Sequence, residues 1–298
     1  MLSEALDQHL LDLAWSLWTE LGVAGVHRKH SQFLISLEEL ILFTASMGEA
    51  DPRLREEALD WCSRYHHFIS VSRLKTLANA FGNFTAEPLS IFSASLNSAV
   101  KANWPLLTPA SPFRFKLSEK SKSPRFENPA LLQLRLRALF GVGARADLIL
   151  FFLTQKEQPY AISDTIEIGY TKRNLAGVLE SFVQAGIFEV SLVRNQQRYR
   201  FTKRDALIEL MSPIPQVLPS WRDIFEIALK LRGCIRKVEK KSDSTKIVEL
   251  RNLLTSLENP LKKNGLIPPP FQSDFPSYWK SLTTWILKTF QALAEGHL

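Results

Sequence analysis

One segment of the chain, from Ala144 to Thr202, constrains the fold most strongly. Apolar residues recur there at steps of three and four over 145–154, which predicts a first helix with one buried face. Ser163 is placed to cap a short second helix over 164–168. Gly169 then allows a tight turn into a third helix. The segment therefore predicts three short helices packed around a common core.

The third helix begins with polar residues and continues with apolar ones. An apolar stripe from Leu175 to Val183 packs it onto the core. Four polar residues at its beginning are left facing solvent: Thr171, Lys172, Arg173 and Asn174. In a DNA major groove, Arg and Lys match guanine acceptors and Asn matches the adenine edge. The free N–H groups of a first helical turn bind phosphate. Each of the four is a candidate for either a base or a phosphate contact.

A two-stranded hairpin follows the third helix. Residues alternate with period two over 188–193 and again over 198–202, so we expect one buried face that includes Phe188, Val190 and Leu192. The connection is polar and basic, and it consists of Arg194, Asn195, Gln196, Gln197 and Arg198. A wing of this composition contacts the sugar-phosphate backbone or the minor groove.

This order of elements is that of a winged helix-turn-helix. The run Gly169-Tyr170-Thr171-Lys172-Arg173-Asn174-Leu175 resembles the turn and recognition-helix beginning of bacterial transcription regulators of the MarR and ArsR groups. The resemblance covers 144–202 and does not extend to the flanking regions. It implies a sequence-specific regulator, a repressor or autoregulator, that binds double-stranded DNA. Because helix-turn-helix operators are palindromic, we also expect a homodimer.

The alternative function is protein binding, since winged helices also serve as protein-interaction modules. More distantly, the whole chain resembles uncharacterised bacterial winged-helix proteins encoded beside predicted nucleotidyltransferase toxins. That resemblance implies an antitoxin or adaptor whose winged helix and helical regions bind a partner protein. The basic residues at the helix beginning and the wing favour DNA instead.

The flanking regions are helical, so the predicted fold class is mainly α with a two-stranded β wing. We predict a helical N-terminal domain over 1–103, a proline-rich basic linker over 104–129, the winged helix over 130–205 and a helical C-terminal domain over 206–298. Apolar seams in the C-terminal helices fit either an internal helical hairpin or a dimer interface.

Charge supports a polyanion partner. The net charge is +7, and the range 125–204 holds twelve Lys and Arg residues against seven Asp and Glu residues. Concentrated positive charge favours phosphate contacts through counterion release. No apolar run is long enough to span a membrane, and no secretory signal is evident. The two cysteines are far apart, which fits a reducing cytoplasm.

Other chemical signals are weak, and we expect no enzyme activity, no cofactor and no metal. His27 and His30 lack further ligands at zinc spacing. The run Gly141-Val142-Gly143 lacks the lysine and preceding strand of a phosphate loop. Glu38 and Glu39 are expected on a solvated helix face, with Glu39 in a capping box opened by Ser36.

Overall fold

The computed structural model describes residues 2–25 and 32–298, apart from the side chain of Asn83. The α-helices are α1 (Leu2–Glu20), α2 (Leu37–Met47), α3 (Pro52–Tyr65), α4 (Val71–Phe81), α5 (Asn83–Ala99), α6 (Leu132–Phe140), α7 (Ala144–Thr154), α8 (Lys172–Gln184), α9 (Arg204–Met211), α10 (Trp221–Val238), α11 (Asp243–Ser256), α12 (Glu258–Lys263) and α13 (Phe275–Ala294). The strands are β1 (Tyr160–Ala161), β2 (Phe188–Val193) and β3 (Gln196–Phe201). Short 3₁₀ helices cover His66–Phe68, Pro129–Leu131 and Ile162–Ile168. The prediction of a mainly α fold with a small β wing is confirmed.

Both ends of the chain build one helical body. Helix α1 packs against α13 and contacts α2 and α10, and residues of α1–α5 and α10–α13 form one buried apolar cluster. Phe43 of α2 stacks on Phe225 of α10 with ring centroids 4.2 Å apart. We predicted separate helical domains over 1–103 and 206–298, and the packing corrects this division. The apolar faces of the N-terminal and C-terminal helices cover each other.

The apolar seams of the C-terminal helices are used within the chain. On α13, Leu282, Ile286 and Phe290 are buried in the core of the body. On α10, Ile224 and Leu231 are fully buried in the same core. Two alternatives were open for these seams, an internal helical hairpin or a dimer interface. Their burial within the chain matches internal packing. The expectation of a homodimer now depends on operator symmetry alone.

The proline-rich segment over 104–129 crosses the body as an extended strap, and only its last residue, which begins a 3₁₀ turn, belongs to a helix or strand. Its backbone is held by serines of α5: Leu107 N–H donates to Ser90 Oγ at 2.9 Å, and Phe113 N–H donates to Ser95 Oγ at 3.0 Å. Side-chain oxygens thus satisfy backbone donors that no strand partner accepts. The basic side chains of the strap are exposed: Arg114, Lys116, Lys120, Lys122 and Arg125.

The winged helix contains α6–α9 and a three-stranded antiparallel sheet in the order β1-β3-β2. The short strand β1, which pairs Tyr160 with Tyr199, was not predicted, and it extends the expected two-stranded wing. A second apolar cluster fills this region. Its aromatic rings include Phe188, which stacks on Phe201 at 4.7 Å. The second predicted helix is a 3₁₀ helix, and Gly169 ends it in the left-handed region.

The sequence predicts neither a membrane-spanning segment nor a metal site, and both expectations concern here the described part of the chain. There, no helix has the length and apolar character to cross a membrane. Over the same residues, no group of three or more His, Cys, Asp and Glu is placed to hold a metal ion. His27 and His30 lie outside the described residues.

The two cysteines differ in burial and should differ in reactivity. Cys62 is fully buried in the core of the body, and burial raises the pKa of its thiol well above the ordinary value. Cys234 is only partly buried, although burial also raises its pKa. Because the thiolate is the reactive form, we expect a thiol reagent to modify Cys234 slowly and Cys62 only after denaturation. Mass spectrometry of the native protein that found Cys62 modified first would contradict this expectation.

Candidate nucleic-acid interface

Helix α8 presents a polar first turn to solvent. Thr171 caps the helix, since its Oγ1 accepts a hydrogen bond from Asn174 N–H at 3.3 Å. Gly169, two residues before the cap, has a φ of 97°, a conformation that favours glycine. Three apolar side chains hold α8 on the second core: Leu175, Leu179 and Phe182. The four predicted site residues of this turn are all exposed: Thr171, Lys172, Arg173 and Asn174.

The wing ends in a two-residue turn. Val193 pairs with Gln196, so that Arg194 and Asn195 alone make the connection. Both turn residues have positive φ, 49° and 60° respectively. Positive φ at both central positions defines a type I′ turn, whose twist matches that of a hairpin. The turn projects the side chains of Arg194 and Asn195 from the tip of the wing, where both are exposed.

The wing is less buried than its alternation predicts. Phe188 is buried, but Val190 and Leu192 on the same strand are 44% and 71% exposed. The expectation that all three form one buried face was therefore wrong for the outer half of the strand. The outer part of the hairpin extends beyond the second apolar cluster, which contains Phe188 but neither Val190 nor Leu192. On β3, Tyr199 is buried as expected.

A groove of about 730 Å³ lies between the beginning of α8 and the wing. It is lined by Ile162, Ser163, Lys172, Arg173, Ala176, Leu192, Asn195, Gln196 and Gln197. Five of the nine predicted site residues are thus brought to one concave surface. Gln196 reaches across it, since its Nε2 donates to Ser163 Oγ at 3.4 Å. The remaining four predicted residues lie outside this lining.

The cations around the groove differ in how they are paired. Within the described residues, Lys172, Arg173 and Arg194 have no ion-pair partner, so their charges face solvent. Arg200 of β3, by contrast, pairs with Glu189 at 2.8 Å. Arg198, predicted at the wing tip, lies within β3. Its Nη1 donates to the Pro159 carbonyl oxygen at 3.3 Å. Lys172 and Arg173 at the helix beginning and Arg194 at the wing turn therefore carry unpaired positive charge beside the groove.

A buried charge cluster lies behind the turn that precedes α8. It consists of Glu38 and Glu39 of α2, Arg73 of α4, Arg137 of α6, Asp147 of α7, and Tyr170. It therefore joins the helical body to the winged helix. We predicted Glu38 and Glu39 on a solvated face, and that was wrong, because both are buried against arginines. The predicted capping box is also absent: Ser36 Oγ donates to Glu39 Oε2 at 2.6 Å and makes no cap bond.

Every charge of the cluster has hydrogen-bond partners. Arg137 donates to Glu38 Oε1 at 2.7 Å and to Asp147 Oδ2 at 2.8 Å, and Arg73 donates to both glutamates. Burial alone would raise the pKa of Asp147, but Arg137 and Arg73 outweigh it and hold that pKa below its ordinary value. Burial and the charge of Asp147 raise the pKa of Tyr170, so its hydroxyl remains a donor.

This cluster was not predicted from the sequence, although a signal was present. Arg137 follows three leucines in the amphipathic run of α6, and Asp147 lies among apolar residues in α7. A charge on an otherwise buried helix face needs a partner. A second cavity, of about 860 Å³, opens on one side of the cluster between the body and the winged helix. Glu39, Arg73 and Asp147 contribute to its lining.

Gly177 weakens α8 without an apparent steric need. It lies within the helix, is exposed, and a Cβ placed there would meet no atom of the surrounding chain within 4 Å. Because glycine costs a helix about 0.5–1 kcal/mol relative to alanine, we expect Gly177→Ala to raise the free energy of unfolding by that amount. Urea denaturation measures the difference, and a lower free energy of unfolding in Gly177→Ala would contradict the geometry.

Comparison with known proteins gives no relative: no family model, no curated protein and no solved structure matches this chain.

Proposed function

We propose that this protein is a cytoplasmic, sequence-specific transcriptional regulator that binds double-stranded DNA through α8 and the wing. The observation that carries the proposal is the groove between them, with the unpaired cations Lys172 and Arg173 at one side and the wing turn at the other. An exposed helix beginning of this kind enters the major groove in helix-turn-helix proteins. The wing turn, with Arg194, then faces the neighbouring phosphates.

The composition of the exposed helix face supports the same function. Ala176 lines the groove and Gly177 is exposed beside it. Neither residue has a side chain long enough to hold a duplex away from the helix. The N-terminal end of α8 also carries free N–H groups and the positive end of the helix dipole, both of which favour phosphate. Base contacts from Arg173 or Asn174 and phosphate contacts from Lys172 are therefore compatible with one docking geometry.

The proposal is tested by the affinity for DNA across a salt series. The probes are duplexes of about 30 base pairs, long enough for two half-sites one helical turn apart. One duplex is taken from a pool selected on the protein, and the other has random sequence. We expect log K to fall linearly with log salt, and the selected duplex to bind at least about 10³-fold more tightly. Absence of binding to either duplex at about 50 mM salt would refute the proposal.

We also propose that the protein acts as a homodimer on its operator. Palindromic selected sequences and a complex of two chains per duplex in sedimentation would support this stoichiometry. A single chain on an asymmetric site would contradict it.

One observation favours the second candidate, binding to a partner protein. Val190, Leu192 and Val193 expose apolar surface on β2, and aromatic or aliphatic exposure of this kind marks protein contacts. In that case the winged helix would bind a protein in place of DNA. The duplex titration separates the two, because only the DNA-binding function predicts a salt-dependent affinity for duplex.

A further inference from the structure

We propose that Tyr170 and Arg73 are positioning residues, through which the helical body sets the placement of the beginning of α8. This inference rests on the proposed function, because it concerns how the helix is aimed at DNA. It assigns to the body, which has no residue in the groove, a direct part in sequence recognition.

The turn that leads into α8 is held by the body at three successive residues. Arg73 Nε donates to the carbonyl oxygen of Ile168 at 2.6 Å. A Cβ at Gly169 would lie 3.1 Å from Arg73 Cγ, so α4 packs closely against the turn. Tyr170 donates from its hydroxyl to Asp147 Oδ2 of α7 at 2.6 Å. The same hydroxyl oxygen lies within hydrogen-bond distance, 3.0 Å, of Ser70 Oγ, and Ser70 is the cap of α4.

The core of the winged helix contacts the same turn through the buried side chains of Ile168 and Tyr170. Its buried contacts on α8 itself begin only at Leu175 and continue to Phe182. The first turn, with Lys172 and Arg173, is exposed and contributes no residue to the second apolar cluster. Because Thr171 follows Tyr170 directly, the location of the cap depends on where the turn is anchored. The position of the first turn of α8 therefore depends on α4 and α7, which contact the turn that precedes the helix.

The hydrogen bonds of Arg73 hold the turn before α8 in one geometry. The guanidinium of Arg73 donates to Glu38, Glu39, Ser36 and the Ile168 carbonyl, and it is buried. Buried charges tolerate little displacement, since removal of a partner leaves an unpaired charge. An apolar contact would allow the turn to slide, whereas directional hydrogen bonds to charged groups do not. The positions of Lys172 and Arg173, the residues proposed to contact DNA, are thereby coupled to the fold of the whole chain.

The test is Tyr170→Phe, with Tyr160→Phe as the matched control. Tyr170→Phe removes one hydroxyl and leaves Asp147 bonded to Arg137, so the fold should be retained. The hydroxyl of Tyr160 donates to the Lys156 carbonyl oxygen, at the surface. The readouts are the affinity for the selected and random duplexes, the salt slope, and hydrogen exchange of the backbone amides over 168–175.

For Tyr170→Phe, we expect about a tenfold loss of affinity for the selected duplex, equivalent to about 1.4 kcal/mol. Affinity for random duplex and the salt slope should be unchanged, because the phosphate-binding charges remain. Amide exchange should accelerate over 168–175 only. Tyr160→Phe should behave as the wild type.

Two results would overturn the inference. One is a Tyr170→Phe protein with wild-type selectivity and wild-type exchange over 168–175. The other is an equal loss of selected and random binding together with faster exchange throughout α8, which indicates a structural role alone. If the wild type binds no duplex, the proposed function fails, and the exchange measurement still decides whether Tyr170 anchors the turn.

Discussion

Replacing Arg137 by alanine is expected to lower the free energy of unfolding by about 3–5 kcal/mol. The guanidinium is buried and bonds to Glu38, Asp147 and the Phe68 carbonyl oxygen. Its removal leaves two carboxylates in the interior with fewer partners and a cavity between them. Removing the partner of a buried charge costs far more than breaking an exposed pair. Urea denaturation followed by tryptophan fluorescence and by circular dichroism measures the change.

The matched control is Arg200→Ala. Arg200 also pairs with a glutamate, Glu189, at 2.8 Å, but its side chain is 55% exposed. We expect a much smaller loss of free energy of unfolding from this substitution, because solvent screens a surface pair. Equal effects of the two substitutions would show that the buried charge cluster contributes no more than a surface ion pair, and would remove the basis for its structural role.

The second large effect is expected in DNA binding. The double substitution Lys172→Ala and Arg173→Ala should weaken binding to the selected duplex by at least about 100-fold, since each contact to a base edge contributes about 1–3 kcal/mol. The slope of log K against log salt should fall by about one unit for each phosphate that the variant no longer neutralises. Both residues are exposed and have no ion-pair partner among the described residues, so stability should change by less than about 0.5 kcal/mol.

A control for the removal of charge is available in the body. Lys240 and Lys241 are adjacent, exposed, and follow α10. Alanine at both positions removes the same two charges from a surface outside the groove. We expect a reduction in affinity of less than about threefold, through the general field of the protein. If this control weakened binding as much as the groove variant, net charge would explain the affinity and the groove would have no special role.

Local signals predicted the winged helix well. The turn at Gly169, the apolar stripe of α8 and the pairing of the two hairpin strands have the structure that the sequence predicts. Each of these features is determined by a few neighbouring residues, through backbone φ or a hydrogen bond three residues away. The exposure of the first residues of α8 follows from the same helical period that defines its apolar stripe. This is why four of the candidate site residues could be placed before any tertiary contact was known.

Burial could not be predicted in the same way. Glu38 looks like a surface residue in sequence, yet it bonds to Arg137, which lies 99 residues later. The outer half of β2 alternates like a buried strand, yet Leu192 is 71% exposed. The two-residue strand β1 is too short for a periodic signal, and only pairing with β3 defines it. In each case, burial or strand pairing depends on segments that are distant in the chain.

The sequence by itself determined the helical character of the chain, the hairpin and the polar face of α8, because these depend on local conformation and on residue period. The tertiary structure alone decided that both ends of the chain share one core and that the charges of α2, α4, α6 and α7 form a single cluster behind Tyr170. The physical reason is that burial of a charge or an apolar face depends on which distant segment covers it. No local pattern encodes that choice of partner.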